Sequence, residues 1–207
     1  MTQRLCALSG LVVCTALALV LPVVAQQPAA SDGPTKKDPM RFSAFAVSLP
    51  AGEAGLVEIV IERWTAVEER KGLLDVLAGA SFKTGGQSKL LTALQDIKPR
   101  TGFIRTAQSL GWDLKYAHEN LMPDGTRQIV IATDKPVGFL AAASGSSVLD
   151  YPFSFVEMRM KPNDKGEGRL LAASAIDVKN GRLELENYGQ EPIRLTTITQ
   201  EVPKKKK

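Results

Sequence analysis

The chain is poor in the side chains from which metal centres and thiol sites are built. Its 207 residues include one histidine, His118, and two cysteines, Cys6 and Cys14. Both cysteines lie in the apolar N-terminal segment, so the sequence beyond residue 25 contains no thiol. This excludes a disulfide, a cysteine nucleophile and a structural zinc site from that part of the chain, and we expect no metal and no cofactor.

The sequence also lacks the clustered positive charge that nucleic-acid-binding proteins carry. Lys and Arg total 26 against 22 Asp and Glu, and four of the bases are the consecutive lysines at 204–207. Without them the two signs balance at 22 each, so the basic character belongs to the segment 203–207, which we predict to be a solvated tail. No nucleic-acid partner is expected.

The N-terminal segment has the three parts of an export signal. Arg4 supplies a positive start, a long apolar run follows, and Val23-Val24-Ala25 has the small-residue pattern that a signal peptidase cleaves. We predict that residues 1–25 are a signal peptide and that the protein is periplasmic or secreted. An uncleaved anchor and a lipid-modified Cys14 are the alternatives. No later apolar run reaches spanning length, so stable membrane insertion is not expected.

Composition divides the rest of the chain into a linker and a domain. Residues 26–40 are polar and rich in proline, which is typical of a disordered linker. Residues 41–202 are predicted to form a single globular domain. The domain begins with two predicted strands. In the first, Phe45, Val47 and Leu49 share one face. In the second, Val57, Ile59 and Ile61 share one face and the residues between them point to the other.

Two short amphipathic helices are predicted after the second strand. Thr65 and Glu68 have the spacing of a capping box at the start of the first helix. The residues at helical spacing that we assign to apolar faces are Val67, Leu74, Leu77 and Ala78 in the first helix and Leu90, Leu94 and Ile97 in the second.

From residue 101 onward the sequence alternates short strands with turns. Asn180-Gly181 between two alternating runs is a strong hairpin signal. Sequential strands with short connections pair as neighbours, which favours an antiparallel β-meander. The predicted fold class is α+β: a curved sheet, or a partly closed barrel or sandwich, with the two helices covering one face or end.

Several segments resemble a family of uncharacterised exported bacterial proteins. They are "ERWTAVEER", "GFIRTAQSLGWDLKYAHE", "RQIVIATDKPVGF", "DYPFSFVEMRMK", "GEGRL" and "LELENYGQEPIRLT", and the likeness covers roughly residues 42–201. The resemblance implies a common fold for that span. It implies no activity, ligand or catalytic residue.

Two strands carry the candidate binding residues. Strand alternation places His118 on the face of Trp112, Leu114 and Tyr116, which predicts a neutral imidazole in the core or in a cavity wall. In "YPFSFVEMRMK", Val156, Met158 and Met160 share one face. The residues on the other face, which either line a cavity or lie beneath the helices, are Phe153, Phe155, Glu157 and Arg159.

These features favour a non-catalytic exported module that binds an apolar ligand or an envelope protein within its curved sheet. A hydrolase-like enzyme that uses His118 with an acidic partner is one alternative, and a structural protein of the cell envelope is another. The sequence shows no nucleophile elbow, and one histidine with no cysteine cannot complete a metal site, so no catalytic residue is predicted.

Cleavage after Ala25 predicts that the exported protein begins at Gln26. Expression of the full chain in a bacterium should yield an exported product whose intact mass corresponds to residues 26–207. A product that keeps residues 1–25, or one with a diacylglycerol on Cys14, would contradict this prediction.

Overall fold

The computed structural model describes residues 33–48, 53–79, 85–107, 109–137, 151–179, 182–187 and 191–201. The helices are α1 (Val67–Ala78) and α2 (Gly86–Gln95), both between the second and third strands. The strands are β1 (Met40–Ser48), β2 (Glu53–Ile61), β3 (Gly102–Thr106), β4 (Trp112–Leu121), β5 (Arg127–Thr133), β6 (Phe153–Met160), β7 (Lys165–Lys179), β8 (Arg182–Asn187) and β9 (Ile193–Glu201). The predicted β-rich α+β class is confirmed.

Eight of the strands close into an antiparallel barrel. Strands β1 to β7 pair in sequence order, and β9 then lies between β7 and β1 and completes the ring. The ninth strand, β8, pairs with Ser174–Lys179 in the second half of β7, outside the ring. The predicted meander is therefore present, and its closure is more complete than the curved sheet or partly closed barrel that we expected.

Side chains fill the barrel interior. An eight-stranded barrel encloses a space just wide enough for the side chains of its own strands. The buried core is made by Phe42, Ala44, Ala46, Val57, Ile59, Ile61, Ile104, Leu114, Ala117, Ile129, Ile131, Val137, Val156, Met158, Met160, Leu170, Ile193, Leu195 and Ile198. The alternation predicted for β2 and β6 is confirmed by this set. The ligand site that we predicted within the curved sheet stays a prediction.

In β1 the inner face is not the one that the larger side chains suggest. Phe42, Ala44 and Ala46 lie in the barrel core, whereas Phe45 is 41% exposed. Leu49 lies outside the described residues. Small residues such as Ala44 and Ala46 suit the narrow interior of a barrel of this size. The size of the side chains therefore does not show which face of β1 points into the barrel.

The first helix begins one residue later than predicted and turns a different face to the protein. Its N-cap is Ala66, whose backbone N–H donates to the carboxylate of Glu69 at 2.8 Å. Leu73 is its buried residue, while Val67 and Leu74 are 64% and 61% exposed. The predicted apolar face of α2 is confirmed, because Leu90, Leu94 and Ile97 are all buried. Within the described residues, neither helix is long and apolar enough to cross a membrane.

A β-bulge in β4 reverses the predicted direction of its side chains. Leu114 pairs with Thr133 and Tyr116 with Ala132, so Lys115 is an extra residue on the β4 side. Leu114 and Ala117 therefore lie in the barrel core, and Tyr116 and His118 lie on the outer face. The prediction that His118 shares a face with Leu114 is wrong, because the bulge breaks the period of two.

Thr65 anchors the start of α1 to this bulged strand. Its hydroxyl accepts the backbone N–H of Ala117 at 2.8 Å, and its own N–H donates to the Ala117 carbonyl at 2.9 Å. The hydroxyl is thus occupied by the barrel instead of by the predicted capping box with Glu68. This contact holds α1 over the outer face of β4.

The chain ahead of β1 is described from residue 33. Thr35 and Asp38 close a turn there through two backbone hydrogen bonds of 3.1 Å. Residues 26–32 of the predicted linker, the signal segment 1–25 and the tail 203–207 lie outside the described residues. The barrel strands run from Met40 to Glu201, and the domain limits of 41 and 202 stay a prediction.

The closure between β6 and β7 depends on two glycines. A Cβ at Gly166 would collide with the Arg159 carbonyl oxygen, and one at Gly168 with the Glu157 carbonyl oxygen. Backbone atoms cannot move away from such a contact without distorting the ladder. Any side chain at these positions therefore separates the two strands that close the barrel.

We expect Gly168→Ala to lower the free energy of unfolding by about 1–3 kcal/mol, the usual cost of forcing extra atoms into packed structure. Gly72→Ala is the matched control, since Gly72 lies inside α1 with no atom within 4 Å of an added Cβ. It should raise stability, by up to about 1 kcal/mol, because alanine is the better helix former. Chemical denaturation of both variants measures the two effects, and equal effects would contradict the role of Gly168.

Candidate ligand-binding site

An apolar pocket of about 150 Å³ lies between the two helices and the outer wall of the barrel. The helices contribute Leu73, Leu74, Leu77, Leu90 and Leu94. The strands contribute Tyr116, Val130, Ala132, Phe155 and Ile176. Arg70 of α1 is the remaining lining residue among those described.

The hollow exists because a small side chain lies between two large ones. Tyr116, Ala132 and Phe155 are direct neighbours across β4, β5 and β6. The methyl group of Ala132 leaves a depression between the two aromatic rings, and the leucines of α1 and α2 roof it. Thus the bulge in β4, which turns Tyr116 outward, is also what gives the pocket one of its walls.

Arg70, which lines the pocket from α1, contacts His118 of β4. Its Nη1 lies 2.8 Å from Nε2 and 3.1 Å from Nδ1 of the imidazole. An arginine can only donate, so the contact requires an unprotonated ring nitrogen, which the neutral imidazole provides. The prediction of a neutral His118 agrees with this geometry. The partner of the imidazole at this contact is thus a guanidinium.

The surroundings disfavour the protonated form of His118. Burial lowers its pKa below the ordinary value, and the positive charge of Arg70 lowers it further; a hydrogen bond with the Asn120 side chain acts in the opposite direction but is weaker. Tyr116 lies beside it, with the two rings edge to face at 6.4 Å. Burial raises the pKa of the Tyr116 hydroxyl, so the phenol is protonated at neutral pH.

Arg70 differs from the other arginines on the barrel and its helices. Among the arginines with described side chains, seven form ion pairs with carboxylates: Arg41, Arg63, Arg100, Arg105, Arg127, Arg159 and Arg169. Arg70 and Arg194 form none with any described carboxylate. Arg194 is exposed, whereas the Nε atom of Arg70 is buried and has no hydrogen-bond partner. A buried donor without a partner costs about 1–3 kcal/mol.

The structure separates the residues that we predicted to act together. Phe155 lines the pocket, and Phe153 packs beside it in the cluster under the helices, with the two ring centroids 5.9 Å apart. Glu157 and Arg159 lie farther along β6, where the Glu157 side chain is half-buried and the Arg159 side chain is exposed. The strand thus runs beneath the helices and lines the apolar pocket with Phe155, while Glu157 and Arg159 line a separate hollow on the barrel.

Glu157 is held in an ion-pair network at the edge of a hollow of about 470 Å³, which Arg159 and Arg169 also line. It accepts hydrogen bonds from Gln128 at 2.8 Å, from Arg169 at 2.7 Å and from Arg159 at 3.2 Å. Burial alone would raise the pKa of Glu157, but these hydrogen bonds and the charge of Arg169 outweigh it and leave the pKa lowered. The carboxylate is thus ionised and its acceptors are occupied.

The geometry gives no support to a histidine–carboxylate pair. The described residues that hydrogen-bond the ring nitrogens of His118 are Arg70 and Asn120, and neither is a carboxylate. Glu119, the next residue in β4, pairs with Arg127, and Glu157 lies two strands away, in the same row as His118 and Val130. A positively charged Arg70 cannot replace the carboxylate that orients a catalytic histidine. In the described part of the chain no group of three or more metal-binding side chains occurs.

Sequence reasoning did not identify Arg70, Val130 or Ala132 as site residues. A single arginine in a charged segment such as "VEERKG" has no mark that separates it from a solvated one. Ala132 and Val130 occupy the outer face of β5, and only the position of the helices shows that this face is covered. The pairing of Tyr116, Ala132 and Phe155 in one row becomes visible once the register is known.

We expect the imidazole of His118 to titrate with a midpoint below 6.5, its ordinary value. His118 is the only histidine, so a tag-free protein gives a single imidazole signal that NMR can follow with pH. Arg70→Gln should move the midpoint upward, but not fully to 6.5, because burial remains. A wild-type midpoint above 6.5 would contradict the arrangement.

The lowered pKa of His118 also makes the stability of the folded protein depend on pH. In the unfolded chain His118 binds a proton more readily than in the folded protein, so the free energy of unfolding falls as the pH decreases below about 6.5. His118→Gln should remove this part of the dependence. The comparison is best made above pH 5, before carboxylates with lowered pKa values such as Glu157 begin to protonate.

No protein-family model matches the chain, and no curated protein or solved structure matches it at a significant level.

Proposed function

We propose that the protein is an exported, non-catalytic module that binds a small apolar ligand in the pocket between its helices and its barrel wall. The observation that supports this most directly is an apolar hollow in a domain whose interior is otherwise filled. Packed cores leave few voids larger than a water molecule, so an open hollow on the outer wall is a feature to explain. The export signal that the sequence predicts supports a role outside the cytoplasm.

The size of the pocket limits the ligand. A cavity of about 150 Å³ lined by aliphatic and aromatic groups holds one benzene-sized molecule. Pockets for drug-sized ligands measure about 300–1,000 Å³, so a molecule of that size is too large for this space. The ligand is therefore a single ring or a short chain. Leu74, which is largely exposed, forms part of the rim through which it would enter.

Saturable binding of small apolar molecules tests the proposal. Benzene, toluene and indole should shift the methyl NMR signals of leucines in the pocket and raise the melting temperature with increasing ligand concentration. Signals from leucines in the barrel core should not move. Absence of saturable binding by these probes, or shifts spread over the whole domain, would contradict the proposal.

A filling substitution provides the matched test. Ala132→Leu places three more carbons in the hollow and should abolish binding while the protein stays folded. Ala78→Leu makes the same change at an exposed position of α1 that does not line the pocket, and it should leave binding unchanged. If Ala132→Leu binds the probes as well as the wild type does, the pocket is not the site.

A further inference from the structure

Arg70 is the one charged residue among the described residues that line the pocket. Its nearest polar partner, His118, is neutral and so does not offset the charge of the guanidinium. A partly buried cation without a counter-charge is unfavourable unless a partner pairs with it. The pocket therefore combines an apolar lining with one positive charge that no described carboxylate neutralises.

Nη2 is the donor of Arg70 that a ligand can reach. Nη1 is engaged with His118, and Nε is enclosed by protein atoms, so a ligand oxygen has no access to it. Among the described residues Nη2 has no hydrogen bond, and unlike Nε it is not enclosed. A charged N–H donor of this kind forms a short, strong hydrogen bond with a carboxylate oxygen.

From this arrangement we infer that the pocket binds small apolar carboxylic acids, with the carboxylate on Nη2 of Arg70 and the apolar part against Ala132. The inference rests on the proposed function, because it names the ligand class of the same pocket. An acid of this kind supplies both missing partners at once: a counter-charge for the guanidinium and an apolar group for the hollow. A neutral ligand supplies only the apolar group, and an amine adds a second positive charge beside Arg70.

Tyr116 offers a further donor on the same wall. Among the described residues its hydroxyl has no hydrogen-bond partner, and it is close enough to Arg70 for that charge to act on its pKa. A phenol that stays protonated can donate to a ligand oxygen. Tyr116→Phe should therefore weaken binding of the acid more than that of its neutral analogue.

The test compares three probes that share a ring and differ in charge: benzoate, benzamide and benzylamine. On the wild-type protein at pH 7 we expect benzoate to bind about tenfold tighter than benzamide, as a charge-assisted hydrogen bond warrants. Benzylamine should bind more weakly than benzamide. NMR titration of the pocket methyl groups gives all three dissociation constants, and the preference for benzoate should decrease with added salt.

Arg70→Gln should reduce the benzoate-to-benzamide ratio to about one and change benzamide affinity little. Arg194→Gln is the matched control, because Arg194 also forms no ion pair with a described residue but is exposed and lies outside the pocket. It should keep the wild-type ratio. If Arg70→Gln does not fold, the wild-type ratio and its dependence on salt still decide the matter.

The possible failures are distinguishable. If the three probes bind with similar affinity and Ala132→Leu abolishes all of them, the acid preference is overturned and the proposed function stands. If no probe binds saturably, both fail. If benzoate is preferred but Arg70→Gln and Arg194→Gln both keep the preference, the carboxylate does not bind at Arg70 and the inference is overturned.

Discussion

An eight-stranded barrel has to fill the space that it encloses, and at this strand number its own side chains are just enough to do so. Here closure requires β6 and β7 to approach closely, which the glycines at 166 and 168 permit. The interior is packed with isoleucine, leucine and methionine, and the apolar pocket lies on the outer wall under the helices. The position of the pocket therefore follows from the closure of the barrel.

The strands that could be predicted from the sequence are those whose side chains alternate without interruption. In β2 and β6 the buried residues are the branched and long apolar ones, and the period of two is unbroken. In β4 one extra residue shifts the alternation, and nothing in "GWDLKYAHEN" marks Lys115 as that residue. Bulges depend on the partner strand, so a single strand cannot reveal them.

The candidate site was predicted in part. Tyr116 and Phe155 were named and do line the pocket, and His118 lies beside it on the outer face. Glu157 and Arg159 do not line this pocket, because they lie farther along β6 and border a separate hollow. Arg70 could not be found, since its importance comes from the absence of a carboxylate nearby. A missing partner is a property of the fold and has no local sequence pattern.

The first and last strands of the barrel are neighbours. The Thr196 hydroxyl donates to the Phe45 carbonyl across a separation of 151 residues. Contacts between such distant positions form late, because a long loop must close before they yield any stabilisation. While the chain is being synthesised, β1 therefore stays an unpaired edge on the side that β9 later occupies. The protein completes its fold as a whole chain, and an unfinished chain carries the exposed edge most prone to pair with another molecule.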